Sequence, residues 1–261
     1  MKDVRSIKIE ILMKTFGAFF KVNHENRLQS LEKENLNLNC YDIVNVDVSF
    51  ENEYLFLIFK KIHPYLRERY DSFIRKLFEL LDKVDDIEKT SSVSTQDEIS
   101  VYKVMFKDES FTPSSYDQLS KITLLEHIDD IVSELIQDYK KNELNRNTEA
   151  FDKTFTHTEL EQQLLLAIFH DIGKIFNLMK KFGINFNDKN HEERGVIFLD
   201  ILYEGDFLTD NEKKGILRLR GNMKLIAEKK IGTRNTLKRF HKYDSRARVL
   251  ELNRLIEGEK R

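Results

Sequence analysis

The residues best placed to do chemistry are a histidine and an aspartate side by side, His170 and Asp171, in the stretch LLLAIFHDIGK. Five of the six residues before them, Leu164, Leu165, Leu166, Ile168 and Phe169, are large and apolar, and the sixth is Ala167. A helix that apolar is buried nearly all round. The polar pair at its end is then desolvated, and burying it without partners is costly. A cation suits both side chains, because neutral imidazole and carboxylate are ligands for first-row metals. Adjacent residues do not share a helix face, but Gly173 permits a helix end at which the two converge.

Taken alone, the dipeptide is better explained by a buried histidine hydrogen-bonded to its neighbour. Two further residues shift that balance. His127 has Leu124 three positions before it and Ile131 four after, so it shares their core-facing side of a helix. Asp244 shares a face with Leu237, Phe240 and Ala247. Each of these residues by itself reads as a satisfied core polar group or a helix-edge residue. Together, the order His, His-Asp, Asp makes a site with three or four ligands from separate helices.

The elements that must position these groups are helical. Apolar spacing predicts helices over 124–139, 158–171, 191–203, 212–229 and 237–256. Thr156 or Thr158, with Glu159 or Glu161 three residues on, signals a helix start. Asp188 or Asn190 is placed to cap the helix that begins at His191. Upstream, residues 4–22 and 54–84 also have helical spacing, the second interrupted at Pro64. The runs IVNVDVSF and ISVYKVMF read as short strands. The expected fold is therefore mainly α: a helical bundle in the C-terminal half and a mostly helical N-terminal region with a few short strands. The polar, Ser/Thr-rich stretch 85–98 reads as a linker or surface loop, which puts a domain boundary between 85 and 120: residues 1–115 of unassigned function, then residues 116–261 carrying the site.

Bulk properties narrow the classes. The 261 residues include 43 basic and 45 acidic side chains, a balance that gives no argument for a protein that coats nucleic acid or membrane surfaces and leaves room for a local basic patch. With 2 prolines and 9 glycines, long helices are favoured over a many-turned β-fold. A single cysteine, Cys40, makes no internal disulfide, and no Cys/His spacing resembles a structural zinc site. No signal-peptide pattern or uninterrupted membrane-length apolar run is present, and a cytoplasmic protein is expected.

HDIGK after an apolar helix, with LLEHIDDIV upstream, resembles the HD superfamily of metal-dependent phosphohydrolases over residues 122–255. The resemblance implies an HD-type bundle and the metal ligands His127, His170, Asp171 and Asp244. It also implies a divalent cofactor drawn from Mn, Ni, Co, Fe, Zn or Mg. Finer features, HEERGVIFL and LKRFHKYDSRAR, resemble the C-terminal HD domain of some bacterial tRNA nucleotidyltransferases. The nucleotidyltransferase head needs a Gly-Ser or Gly-Gly phosphate loop, and neither dipeptide occurs here. GNMKLI carries Asn222 about where that branch often has a histidine. No Gly-Tyr-Pro signature of the cyclic-dinucleotide diesterases follows, and the acidic pair usual after HD in the alarmone hydrolases is replaced by Ile-Gly-Lys.

In this reading Asp171 orients the attacking water. Lys174 either contacts a substrate phosphate or is a solvated cation at a helix C-terminus. His191 is a second-metal ligand, a proton donor to the leaving oxygen, or a surface residue at a helix start. Arg246 and Arg248 read as a solvated basic face, and His241 as a residue supporting Asp244 from one turn away. The expected activity is hydrolysis of a phosphate ester of a phosphorylated small molecule, a nucleotide or a nucleic-acid end. The contrasting expectation is a regulatory or scaffold protein that keeps a metal-binding HD fold without turnover. No membrane partner is expected.

Overall fold

The computed structural model describes residues 50–93, 118–186, 189–205 and 208–258. The helix expected over 4–22 and both expected strands lie outside these residues, apart from Phe50 at the end of the first. Among the described residues there are eight α-helices, and strand-like pairing is limited to one isolated antiparallel bridge between Ser91 and Thr123. The fold is mainly α. No helix among the described residues is long and apolar enough to cross a membrane.

The chain runs through α1 (Glu53–Ile62), a 3-10 turn at His63–Tyr65, α2 (Glu68–Asp82), α3 (Leu124–Leu144) and α4 (His157–Phe169). A 3-10 turn at Ile172–Lys174 leads to α5 (Phe176–Lys181), α6 (His191–Glu204), α7 (Asp210–Ala227) and α8 (Asn235–Gly258). Pro64 falls in the turn between α1 and α2, where its missing amide donor costs least. Side-chain caps define most starts. Thr123, Asn190 and Thr209 each form a full capping box with the glutamate three residues on. Thr156 caps α4 by accepting from the Glu159 amide. Of the alternatives at α6, Asn190 takes the cap. The short α5 carries too few residues to show a period in the sequence.

α4 is the axis of the bundle. Every residue from Leu160 to Phe169 is buried. α3, α7 and α8 pack around it, and the Phe73 ring of α2 stacks on Phe169 at 5.8 Å between centroids. Three of those buried residues are polar, and each is partnered. Gln162 donates to the Tyr70 hydroxyl, which donates to the Gly215 carbonyl. Gln163 donates to the Thr236 carbonyl, and Glu161 accepts from the Arg67 amide.

The boundary expected between 85 and 120 does not separate two cores. Residues from 46 onward form one compact unit, and the buried side chains of α1 and α2 belong to the same apolar cluster as those of α3 to α8. The reason is geometric: a helix apolar on all sides needs cover on all sides, and α2 supplies part of it. The stretch 85–93, read as a linker, is tied in by Ile87, buried in that cluster, and by the bridge at Ser91.

Candidate metal centre

α3 turns His127 inward, as its spacing from Leu124 and Ile131 predicts, and the side chain is fully buried. Its Nδ1 lies 2.6 Å from Glu251 Oε1, and its Nε2 lies 3.1 Å from Asp244 Oδ1. A carboxylate on each ring nitrogen favours a proton on both; a metal ion at Nε2 would take the place of the proton there, while Glu251 keeps Nδ1 as the N–H donor. Glu251 was not signalled by its residue type. It sits seven residues after Asp244 and four after Ala247, on the buried stripe of α8.

His170 arrives differently. α4 ends at Phe169, His170 is its C-cap, and the chain tightens into the 3-10 turn, which lets His170 and Asp171 point into one space. His170 Nδ1 donates to the Ala167 carbonyl at 3.0 Å. Its Nε2 is buried with no hydrogen-bond partner, although Asp171 Oδ2 is 3.2 Å away. An unpartnered buried imidazole nitrogen is costly in a protein interior, and it is what a metal ligand looks like before its ion is added. Ligand atoms of His127, His170 and Asp171 lie within 4.8 Å of one another. Ligands of one ion at about 2.0–2.2 Å stand at most roughly 4.4 Å apart, so the three are at or near ligating separation. This buried group has the chemistry to hold a metal ion. Asp244 is outside that trio but stands against the same Nε2 of His127.

The remaining predicted residues converge on Asp171. Lys174 Nζ lies 2.6 Å from Asp171 Oδ2, and His191 Nε2 lies 3.1 Å from Oδ1. The Lys174 side chain is only 8 % exposed and its second partner is the Ser92 carbonyl at 2.7 Å, so it is not the solvated helix-end cation. His191 is buried at the first position of α6, not on the surface. Gly173 places it there: a Cβ on Gly173 would lie 2.0 Å from the His191 carbonyl oxygen, so only glycine lets the turn and α6 touch. Arg194, one turn further on, is buried. Its Nε donates to the Gly173 carbonyl at 2.8 Å and its Nη1 to the Phe186 and Lys189 carbonyls.

One expectation about α8 is corrected. Arg248 is not on a solvated face; it is buried and donates to Ser92 and to Glu251 Oε2. Asn222, on α7 where the resembling branch often has a histidine, has its Oδ1 accepting from Arg234 at 2.8 Å. Arg246 does face outward and pairs with Asp138. His241 is half-buried, and burial lowers its pKa despite the charge of Asp244.

The electrostatics follow from this packing. Burial and the Arg248 guanidinium work against a charged His127, but the carboxylates of Asp244 and Glu251 outweigh them and raise its pKa above the ordinary histidine value. Burial would raise Asp171, yet His170 and Lys174 hold its carboxyl well below the usual range. Asp244 and Glu251 are likewise held low against burial, chiefly by His127. The site therefore presents ionised carboxylates and a strongly held proton on His127, in the place where a cation would go.

No family model, curated protein or solved structure matches the chain.

Proposed function

We propose that this protein is a metal-dependent phosphohydrolase of the HD type, acting on phosphate esters of a nucleotide or of a nucleic-acid end. The observation that carries the reading is the pair of buried imidazoles on separate elements, His127 and His170, each with Nδ1 engaged and Nε2 left toward an acidic centre. His127, His170 and Asp171, with Asp244 beside them, are the groups that would hold a divalent ion. Bound there, such an ion lowers the pKa of its water and offsets charge that builds on phosphorus. Asp171 orients the attacking water, Lys174 fixes Asp171, and His191, hydrogen-bond distance from Asp171 Oδ1, is the nearest proton carrier for the leaving oxygen.

The test is metal content of the purified protein, followed by assays on bis-p-nitrophenyl phosphate, p-nitrophenyl phosphate and a nucleotide panel with Mn²⁺, Ni²⁺, Co²⁺ or Mg²⁺. Metal-dependent turnover that is lost in Asp171→Ala is expected. Absence of bound metal, with no difference from the variant on any substrate, overturns the proposal.

One observation favours a second reading, a scaffold that keeps the metal-binding fold without turnover. Asp171 is already neutralised internally by Lys174. Bound metal with no turnover on any phosphate ester would select it.

A further inference from the structure

Three parts of the chain far apart in sequence meet at a single backbone oxygen. The Ser92 carbonyl accepts from Lys174 Nζ at 2.7 Å and from Arg248 Nη2 at 2.7 Å. Arg248 Nη1 also donates to Ser92 Oγ at 2.7 Å. Each of the two cationic side chains is 8 % exposed; both also face Asp171 Oδ2, at 2.6 Å and 3.8 Å, and Arg248 pairs with Glu251 Oε2 at 3.1 Å. A carbonyl oxygen has two lone pairs but no net charge, whereas a charged donor bonds most strongly to an anionic oxygen. Two desolvated cations aimed at one neutral oxygen are thus better matched to an oxyanion than to the atom they hold.

The charge balance points the same way. With His127 in the neutral form that metal ligation requires, Asp171, Asp244 and Glu251 oppose Lys174 and Arg248, which leaves the cluster one unit negative before the ion is counted. A divalent ion turns this into one unit positive, a field that draws an anion. Ser92 itself is fully buried, and the backbone pairing of its segment is short. The segment is held to the start of α3 by one rung, Ser92 N–H to the Ile122 carbonyl at 2.9 Å and Leu124 N–H to the Thr90 carbonyl at 2.7 Å. Side-chain bonds from Ser91 to the Ser120 carbonyl and from Thr90 to the Asp86 carbonyl add to it. Displacing it breaks this rung and the Lys174 and Arg248 bonds, a local opening rather than global unfolding.

We propose that Lys174 and Arg248 form a clamp for a phosphoryl oxygen beside the metal centre, and that the Ser92 carbonyl is its internal stand-in, displaced when an anion binds. The proposal rests on the phosphohydrolase reading and adds to it the residue that completes substrate recognition, Arg248, and the segment that gates it, 90–93.

The test uses the full chain with Mn²⁺ and orthophosphate as probe. Hydrogen exchange at the Ser92 and Leu124 amides is expected to speed up on adding phosphate, because the stand-in leaves; unchanged or slower exchange overturns displacement. Ser91 and Thr123 are a non-hydrogen-bonded antiparallel pair, whose Cα separation of about 4.5 Å suits a disulfide. Ser91→Cys with Thr123→Cys, in a Cys40→Ser background, locks the segment when oxidised and frees it when reduced. Orthophosphate affinity by calorimetry is expected to be at least ~10-fold weaker in the oxidised form, while the Mn²⁺ isotherm is the same in both. Equal phosphate affinity in the two forms overturns the proposal. So does Arg248→Lys binding phosphate as tightly as the native chain, since the single ammonium cannot span both contacts. Failure to bind any of Mn²⁺, Ni²⁺, Co²⁺, Fe²⁺, Zn²⁺ or Mg²⁺ instead sinks the phosphohydrolase reading, and the clamp with it.

Discussion

The two flanks of the buried centre are built from the same kinds of side chain and are organised in opposite ways. On the His127 flank, an imidazole lies between two carboxylates, Asp244 and Glu251, both from α8. On the Asp171 flank, a carboxylate lies between a lysine, an arginine and two histidines, drawn from four segments of the chain. The first surrounds a base with acids and so favours a proton or a metal ion on Nε2. The second surrounds an acid with bases and so keeps Asp171 ionised and held in place. The contrast shows why residue type alone does not define a site. A histidine is a cation holder or a proton carrier according to which charges burial forces upon it.

Four measurements bear on this contrast. The largest effect is expected for Asp171→Ala, which takes from Lys174, a side chain only 8 % exposed, the carboxylate it pairs with and leaves it only the neutral Ser92 carbonyl. A loss of about 3–5 kcal/mol in urea unfolding is expected, and a loss under about 1 kcal/mol would mean that the cation-rich flank reaches water after all. Gly173→Ala comes next. Its Cβ would lie 2.0 Å from the His191 carbonyl and 2.7 Å from the Gly195 nitrogen, both backbone atoms that cannot swing aside. The expected cost is about 1–3 kcal/mol or more, together with loss of the His191–Asp171 contact. That loss would show in the His191 imidazole resonances by NMR.

Glu251→Gln tests the other flank. It keeps a hydrogen-bond acceptor on His127 Nδ1 but removes the charge, and a fall of roughly 10–100-fold in metal affinity is expected, as for other outer-shell partners of metal-bound histidines. An unchanged metal isotherm would assign Glu251 to packing alone. The smallest effect is on pH dependence. Because His127 has a raised pKa in the folded protein, its stabilising charge is fully present below the ordinary histidine value and is lost as pH rises through the raised one. Metal ligation needs the neutral ring. The metal-induced rise in Tm should therefore grow as pH rises from below the ordinary histidine value through the raised one; a rise that shrinks over that window would place the ion away from His127.

Much of the fold and part of the centre could be read from the sequence. The periodicity of α3, α4, α6, α7 and α8 located them within a few residues, because each buries a stripe against α4 or its neighbours. His127 and Asp244 were legible for the same reason, as polar residues on apolar faces. Glu251 and Arg248 were not, although they lie on the same buried stripe of α8 as Asp244, because charged side chains are ordinarily exposed. Their burial is made possible by partners 124 and 156 residues away, His127 and Ser92. Ser92 itself was hidden in a polar stretch with every mark of a loop. Nothing local in Phe73 announces that it stacks on the helix bearing the His-Asp pair, so the extent of the core was also out of reach.

That stack has a practical consequence. A fragment trimmed to the motif-bearing residues, from 118 onward, would strip α1 from α3 and α2 from α4 and bare Phe169, whose ring is fully buried in the intact protein. Such a piece would carry all six titratable residues singled out by the motif and still be expected to aggregate. The smallest well-folded unit of this protein is thus set by the cover its central helix demands, and begins well upstream of the residues proposed to hold the metal.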